Sequence, residues 1–338
     1  MKKILAMLLA VMMLLSVASV AMADEPTDSD TKTFSKEYKL VGDTATAFSP
    51  AETFSFGDVS FVSATDTGVG YTEAWAKANV PTINSVSYTK GEAGSENRIK
   101  DFTITLPDYE YVGIYTYQFT EVDNGTAGVT YRTTPIRLVV TVINDGAVRV
   151  AAVHCENADA TKSGTFDNTY SAGKLSVMKK VAGNLGDENK EFEIKVKFTA
   201  PTGDTVKSDI TYNDGTATDT VIEAGENGWT TKEVTIHVKH NETVTFTNIP
   251  AGVTYEIEET DASVIADAAG KSEYEVTYDD KKTGTVTANA TSATTVTNTK
   301  DGELDMGVML DSMPYVLVLA VVGAAVIALI AKKRRAED

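Results

Sequence analysis

Stretches in which apolar and polar residues alternate recur along most of the chain, and a period of two predicts strands. Phe54-Ser-Phe56, Phe102-Thr-Ile104 and Leu138-Val-Val140-Thr-Val142 show it in the first half. Turn chemistry separates them at Val41-Gly42-Asp43 and Asp123-Asn124-Gly125. Asn144-Asp145-Gly146 lies between two valine-rich runs and is a hairpin signal. One stretch, Thr72 to Asn79 around Trp75, predicts a short helix. Regular short strands with polar turns predict an all-β chain of two tandem immunoglobulin-like β-sandwich domains. Their expected bounds are 24–171 and 172–300.

The two ends follow a different pattern. Lys2 and Lys3, an apolar run from Ile4 to Val20 and the small-x-small site Ala21-Met22-Ala23 predict a signal peptide over 1–23, so the chain is expected to be exported. Residues 301–314, which open with the polar step Asp301-Gly302-Glu303, are expected to form a linker. The uncharged apolar run at 315–331 predicts a transmembrane helix near the lower length limit. Lys332, Lys333, Arg334 and Arg335 open a basic cytoplasmic tail, 332–338.

Alternation also exposes polar residues on faces that should be buried. In Tyr115-Thr-Tyr117-Gln-Phe119-Thr-Glu121 the three rings and Glu121 share one face. A carboxylate among rings calls for a polar partner or a neutral acid. Phe34-Ser-Lys36-Glu-Tyr38 sets a lysine between two inward aromatics, and Phe166-Asp-Asn168-Thr-Tyr170 does the same for an asparagine. Brought together, they have the parts for one reaction. A buried lysine amine attacks the asparagine amide, the acid shuttles protons, ammonia leaves and an isopeptide remains. Taken singly, each residue also reads as a strand-end lysine, a turn asparagine or a rim glutamate.

The second half repeats the plan. Leu175-Ser-Val177-Met-Lys179, Tyr255-Glu-Ile257-Glu-Glu259 and Thr294-Thr-Val296-Thr-Asn298 place the same three residue types in the same order. Lysine and glutamate are 85 residues apart in the first half and 80 in the second. Glutamate and asparagine are 47 and 39 apart. Recurrence at such similar spacing argues against coincidence. Lys180 competes with Lys179, and Glu258 with Glu259; strand alternation favours Lys179 and Glu259.

Composition narrows the function classes. With 30 Lys+Arg against 48 Asp+Glu the net charge is −18, which disfavours nucleic acid and anionic lipid as partners. A single cysteine, Cys155, allows no intramolecular disulfide, so an exported domain needs another staple. Three histidines, His154, His237 and His240, form no metal motif, and no nucleophile elbow or phosphate loop is present. No cofactor or metal is expected, and no enzyme acting on an outside substrate.

These residues resemble Gram-positive surface pilins. Thr33-Phe-Ser-Lys36-Glu-Tyr38, Ser49 to Phe56, Tyr115 to Glu121, Gly128-Val-Thr-Tyr131 and Phe166 to Tyr170 are similar to the blocks of the streptococcal pilin isopeptide-linkage domain. Residues 173–300 resemble a collagen-adhesin B-type module. The resemblance implies spontaneous cross-links Lys36–Asn168 and Lys179–Asn298, promoted by Glu121 and Glu259. It also implies a cell-wall sorting signal, with a sortase and other pilus subunits as partners. Leu304-Asp305-Met306-Gly307 departs from the usual motif, with Asp305 in place of proline and Met306 in place of threonine. Either a sortase of altered specificity reads it or the protein stays membrane-anchored. Polymerisation would need an acceptor lysine, for which Lys162 is the positional candidate beside its reading as an exposed loop residue. The leading expectation is a stapled surface stalk or fimbrial subunit. The alternative is an adhesin for a host protein or glycan, carried by loops such as Tyr71 to Asn97.

Overall fold

The computed structural model describes residues 31–157, 159–213, 218–265, 270, 272–279, 281–302 and 307–335. The expected signal peptide and three of the four sorting residues, Leu304, Asp305 and Met306, lie outside them. The described chain is almost entirely β-structure.

Nine strands and half of a tenth build the first sandwich. They are β1 (Thr31–Val41), β2 (Glu52–Phe54), β3 (Ser60–Thr65), β4 (Thr82–Ile83) and β5 (Val86–Tyr88). There follow β6 (Ile99–Thr105), β7 (Gly113–Phe119), β8 (Ile136–Asn144), β9 (Val148–Glu156) and β10 (Thr165–Ala182). One layer runs β4-β6-β1-β10 and the other β3-β7-β8-β9. Tyr38, Phe102, Tyr115, Tyr117, Phe119, Leu138 and Phe166 meet between them, because strand alternation turns each toward the facing sheet. The helix expected around Trp75 is α1, Glu73–Ala78, capped by Thr72 Oγ1, which accepts from Trp75 N–H at 3.3 Å. The Asn144–Gly146 hairpin joins β8 to β9, with Gly146 at φ +77° supplying the left-handed turn position.

The second sandwich comprises β11 (Phe192–Thr199), β12 (Ile210–Asn213), β13 (Thr220–Ile222), β14 (Thr231–Val238) and β15 (Thr243–Pro250). It is completed by β16 (Thr254–Glu259), β17 (Glu275–Tyr278), β18 (Thr283–Thr285) and β19 (Thr291–Thr299). The sheet β14-β11-β16-β18 faces a layer that contains β13-β12-β15 and, on the other side of β10, β19 and β17. Ile194, Val196, Phe198, Phe246, Ile257 and Val296 fill this second core.

Strand β10 belongs to both sandwiches. Its residues 165–171 pair in parallel with β1, and residues 174–182 pair in parallel with β19. Each sandwich therefore has its first and last strands side by side and parallel.

The junction around β10 is fixed by Asn248, which is buried and in the left-handed region at φ +59°. Its Oδ1 accepts from Phe48 N–H at 3.0 Å and from Tyr170 O–H at 3.1 Å. Its Nδ2 donates to the carbonyls of Phe48 at 3.1 Å and Asp209 at 2.7 Å. All four hydrogen-bonding positions of the amide are thus used, two of them on one residue of the first sandwich. Ion pairs Lys90–Asp209 and Lys174–Asp43, the latter at 2.8 Å, flank it.

The last element is α2, Gly307–Arg335, whose apolar residues between Leu317 and Ile330 are exposed around the helix. Among the described residues no helix is long and apolar enough to cross a membrane. The run expected to cross the membrane, 315–331, lies inside α2, and part of its side chains lie outside the described residues.

Candidate functional site: two buried lysine–glutamate–asparagine triads

Parallel pairing sets the geometry of both triads. Lys36 on β1 stands opposite Phe166 and Tyr38 opposite Asn168, while Lys179 on β10 stands opposite Val296 and Val181 opposite Asn298. In each sandwich the asparagine lies two positions beyond the partner of the lysine. An offset of two keeps both side chains on the same, inward face. The acid comes from the other layer. Glu121 follows β7 and forms a bridge with Phe56; Glu259 ends β16 opposite Ile194. All six side chains are buried.

At the first site Lys36 Nζ donates to Glu121 Oε1 at 2.5 Å and also to Asn168 Oδ1. Asn168 Nδ2 donates to Glu121 Oε2 at 2.6 Å and to the Thr130 carbonyl at 2.7 Å. Glu121 Oε2 further accepts from the Arg132 main-chain N–H at 2.7 Å. The Lys36 ammonium position is 4.3 Å from the centre of the Phe54 ring. Burial pulls the Lys36 amine below the usual lysine range, opposed by the neighbouring Glu121. A larger share of unprotonated amine follows, and that form is nucleophilic.

At the second site Lys179 Nζ donates to Glu259 Oε2 at 2.6 Å and lies 4.4 Å from the Phe192 ring centre. Asn298 Nδ2 donates to Glu259 Oε1 at 3.1 Å, and among the described residues Asn298 Oδ1 is buried without a hydrogen-bond partner. Burial lowers the Lys179 pKa and raises that of Glu259. The two shifts move a proton in the same sense, from the amine to the acid. Glu259 N–H donates to Tyr278 Oη at 2.8 Å, which fixes the end of β16. Lys179 and Glu259 point inward, whereas Lys180 and Glu258 are exposed.

The remaining candidates stay apart from the triads. Cys155 is buried and its thiol is pushed up to about 12 by burial, which leaves it an inert core residue. His154 lies 2.8 Å from Glu156, His237 is 4.0 Å from Glu193 and His240 is 3.7 Å from Glu188. Among the described residues no cluster of His, Cys, Asp and Glu could hold a metal. Lys162 is exposed, and its main chain pairs with that of Glu156 in an isolated antiparallel β-bridge. Sequence reasoning missed the main-chain groups of Thr130 and Arg132, since carbonyls and amides carry no side-chain signal. Only the proximity of Gly128-Val-Thr-Tyr131 to Glu121 hinted at that segment.

Two sandwiches, each with a buried lysine, acid and asparagine spanning its first and last strands, define a pilin-like structural subunit. Residues 32–171 match the family described as Spy0128-like isopeptide containing domain. Residues 173–300 match a domain of unknown function (DUF7601). A curated pilin from Streptococcus pyogenes serotype M1 is 27% identical over 275 residues, covering 73% of this chain and 76% of that protein. The crystal structure of the major pilin from Streptococcus pyogenes superposes with a TM-score of 0.52 at 22% identity, covering 82% of this chain and 100% of that one. The major pilin protein T3.2 from Streptococcus pyogenes gives 0.52 at 18% identity, over 81% and 99%. These relatives are structural pilins, not enzymes.

Proposed function

We propose that this pilin-like subunit staples itself with two intramolecular isopeptide bonds, Lys36–Asn168 and Lys179–Asn298. Glu121 and Glu259 act as the proton-shuttling acids. The observation that carries the reading is the recurrence of one buried triad, in one register, in both sandwiches. The reaction balances within each triad. A proton passes from the ammonium to the carboxylate, the neutral amine attacks the asparagine Cγ, and the bond from Cγ to Nδ2 breaks. The acid gives its proton to the leaving nitrogen and takes up the one that the attacking nitrogen sheds, so neutral ammonia departs and the proton first received from the ammonium remains on the acid.

The domain division at 171 and 172 accompanies this reading, with each sandwich closed by its own bond and β10 common to both. A cross-link between Lys36 and Asn168 closes a loop of 132 residues. In the chain-entropy picture such a loop restrains the unfolded state by about 5 kcal/mol. Intact mass tests the proposal. The full-length chain should fall short of its sequence mass by two ammonia molecules, and Glu121→Ala and Glu259→Ala should each restore one. A wild-type chain of unmodified mass sinks it.

The chain is further proposed to be exported to the surface of a Gram-positive cell and joined there to other pilus subunits by a sortase. That sortase would read Leu304-Asp305-Met306-Gly307, while the apolar run at 315–331 holds the chain in the membrane. Deleting residues 315–338 should release the protein to the medium. A deleted form that stays with the cells would remove the anchoring part of the proposal.

A further inference from the structure

We propose that the main-chain carbonyl of Thr130 selects an amide over a carboxylic acid at position 168, and that the second site imposes no such selection at position 298. The inference rests on the cross-linking reading and deepens it by assigning which electrophile each site accepts.

The Thr130 carbonyl is a fixed group. Segment 128–132 lies across the end of the first sandwich and is tied on both sides. Ser171 N–H donates to the Gly128 carbonyl at 2.8 Å and Thr130 N–H to the Thr169 carbonyl at 2.9 Å. Thr169 N–H donates to Thr130 Oγ1 at 2.9 Å. On the other side, Arg132 N–H reaches Glu121 Oε2 at 2.7 Å, and Glu121 N–H donates to the Arg132 carbonyl at 3.1 Å. Gly128 makes the close approach feasible. It sits at φ +79°, and a Cβ there would stand 2.7 Å from the Ser171 carbonyl oxygen.

A carbonyl can only accept. The Asn168 nitrogen therefore faces two acceptors, the Thr130 carbonyl at 2.7 Å and Glu121 Oε2 at 2.6 Å, and satisfies both with its two hydrogens. This turns Oδ1 toward Lys36 and makes Nδ2, held at both hydrogens, the leaving atom. An aspartic acid at 168 carries one proton when neutral and none when ionised. While Glu121 is ionised, the aspartic acid meets at most one of the two acceptors and sets oxygen against oxygen at the other. At the second site Asn298 Nδ2 donates to Glu259 alone among the described residues. A single acid proton is enough there. With aspartic acid the reaction would release water in place of ammonia, the Cγ–O bond breaking as the amide forms.

The test follows full-length chains made by cell-free translation, with intact mass and peptide mapping at intervals. Asn298→Asp should lose one water and one ammonia. Asn168→Asp should lose its water roughly tenfold or more slowly than Asn298→Asp, the rate equivalent of one unmet buried acceptor. Equal water loss by the two variants overturns the inference. If Asn168→Asp does not fold, an ester in place of the Thr130–Tyr131 peptide decides, because an ester carbonyl accepts more weakly. That variant should slow only the ammonia loss at Asn168, and an unaltered rate overturns the proposal. A wild-type chain with no ammonia loss would instead remove the cross-linking reading beneath it.

Discussion

The two triads share a register and differ in how their acids and amides are held. In the first sandwich Glu121 takes three donors, and the Asn168 amide is gripped from both ends. In the second, Glu259 takes Lys179 and a longer bond from Asn298, whose oxygen has no partner among the described residues. Both lysines are buried beneath an aromatic ring, so desolvation of the amine does not distinguish the sites. The loops closed are of similar length, so chain entropy does not distinguish them either. What differs is the main-chain frame around the asparagine. Parallel first and last strands bring lysine and asparagine together; a third segment, 128–132, orients the amide at one site only.

The largest expected effect comes from removing the first lysine. Lys36→Ala deletes the cross-link and leaves Glu121 buried without its cation. The first sandwich should lose about 3–5 kcal/mol and become protease-sensitive, while ammonia loss at Asn298 continues. Differential scanning calorimetry with mass mapping checks both parts. A variant as stable as wild type would show that the staple does not hold the fold.

The second site is sharpened by pH. Burial raises the Glu259 pKa and Lys179 opposes that shift. In Lys179→Met the opposition is gone, so the folded-state pKa stands above the unfolded value by more than before. A group of this kind stabilises fully below its unfolded pKa, near 4.3 by the usual glutamate reference, and loses that contribution as pH rises through the folded pKa. The melting temperature of Lys179→Met, relative to wild type, should therefore rise as pH is lowered from neutral toward 5. A flat difference across that range would contradict the buried, uncompensated acid.

Whether the two halves act separately turns on the junction. Asn248→Ala removes four hydrogen bonds and leaves a β-carbon at φ +59° without the polar side chain that suits this region, which should cost about 2–4 kcal/mol and split the melt into two transitions. Asn248→Gly keeps the left-handed backbone and should recover about 1 kcal/mol of that loss. Equal penalties for the two would mean that backbone strain is not part of the effect.

Much of this was legible in the sequence because β-structure has a period of two. The alternation in Tyr115 to Glu121 and Leu175 to Val181 names the inward residues without knowledge of the partner strands, and the recurrence of lysine, acid and asparagine marks them as a set. The strand expectations around Phe102 and Leu138 and the short helix at Trp75 follow from the same local rules. The sharing of β10 was not legible, since nothing in Thr165 to Ala182 announces that one strand serves two sheets. The junction was hidden for a related reason. Asn248 meets Phe48 across 200 residues, and its role depends on a positive φ that an isolated asparagine does not declare. Thr130 acts through its carbonyl, a group that every residue has.

The smallest expected effect tests alternation itself. Lys179 and Lys180 are adjacent, as are Glu258 and Glu259, and only strand geometry decides which members enter the core. Lys179 and Glu259 are buried, and Lys180 and Glu258 are exposed. An exposed charge on a strand contributes little, because water screens it and its side chain keeps its freedom. Lys180→Ala and Glu258→Ala should each leave both ammonia losses intact and shift stability by no more than about 0.5 kcal/mol. Lys179→Ala and Glu259→Ala, one residue away, should each abolish the loss at Asn298. Mass mapping of the four variants reads the contrast directly. If Lys180→Ala also stopped the reaction, the register of β10 against β19 would have to slip by one residue. Such a slip would turn every inward side chain of that strand to solvent, and the second core would fail with it.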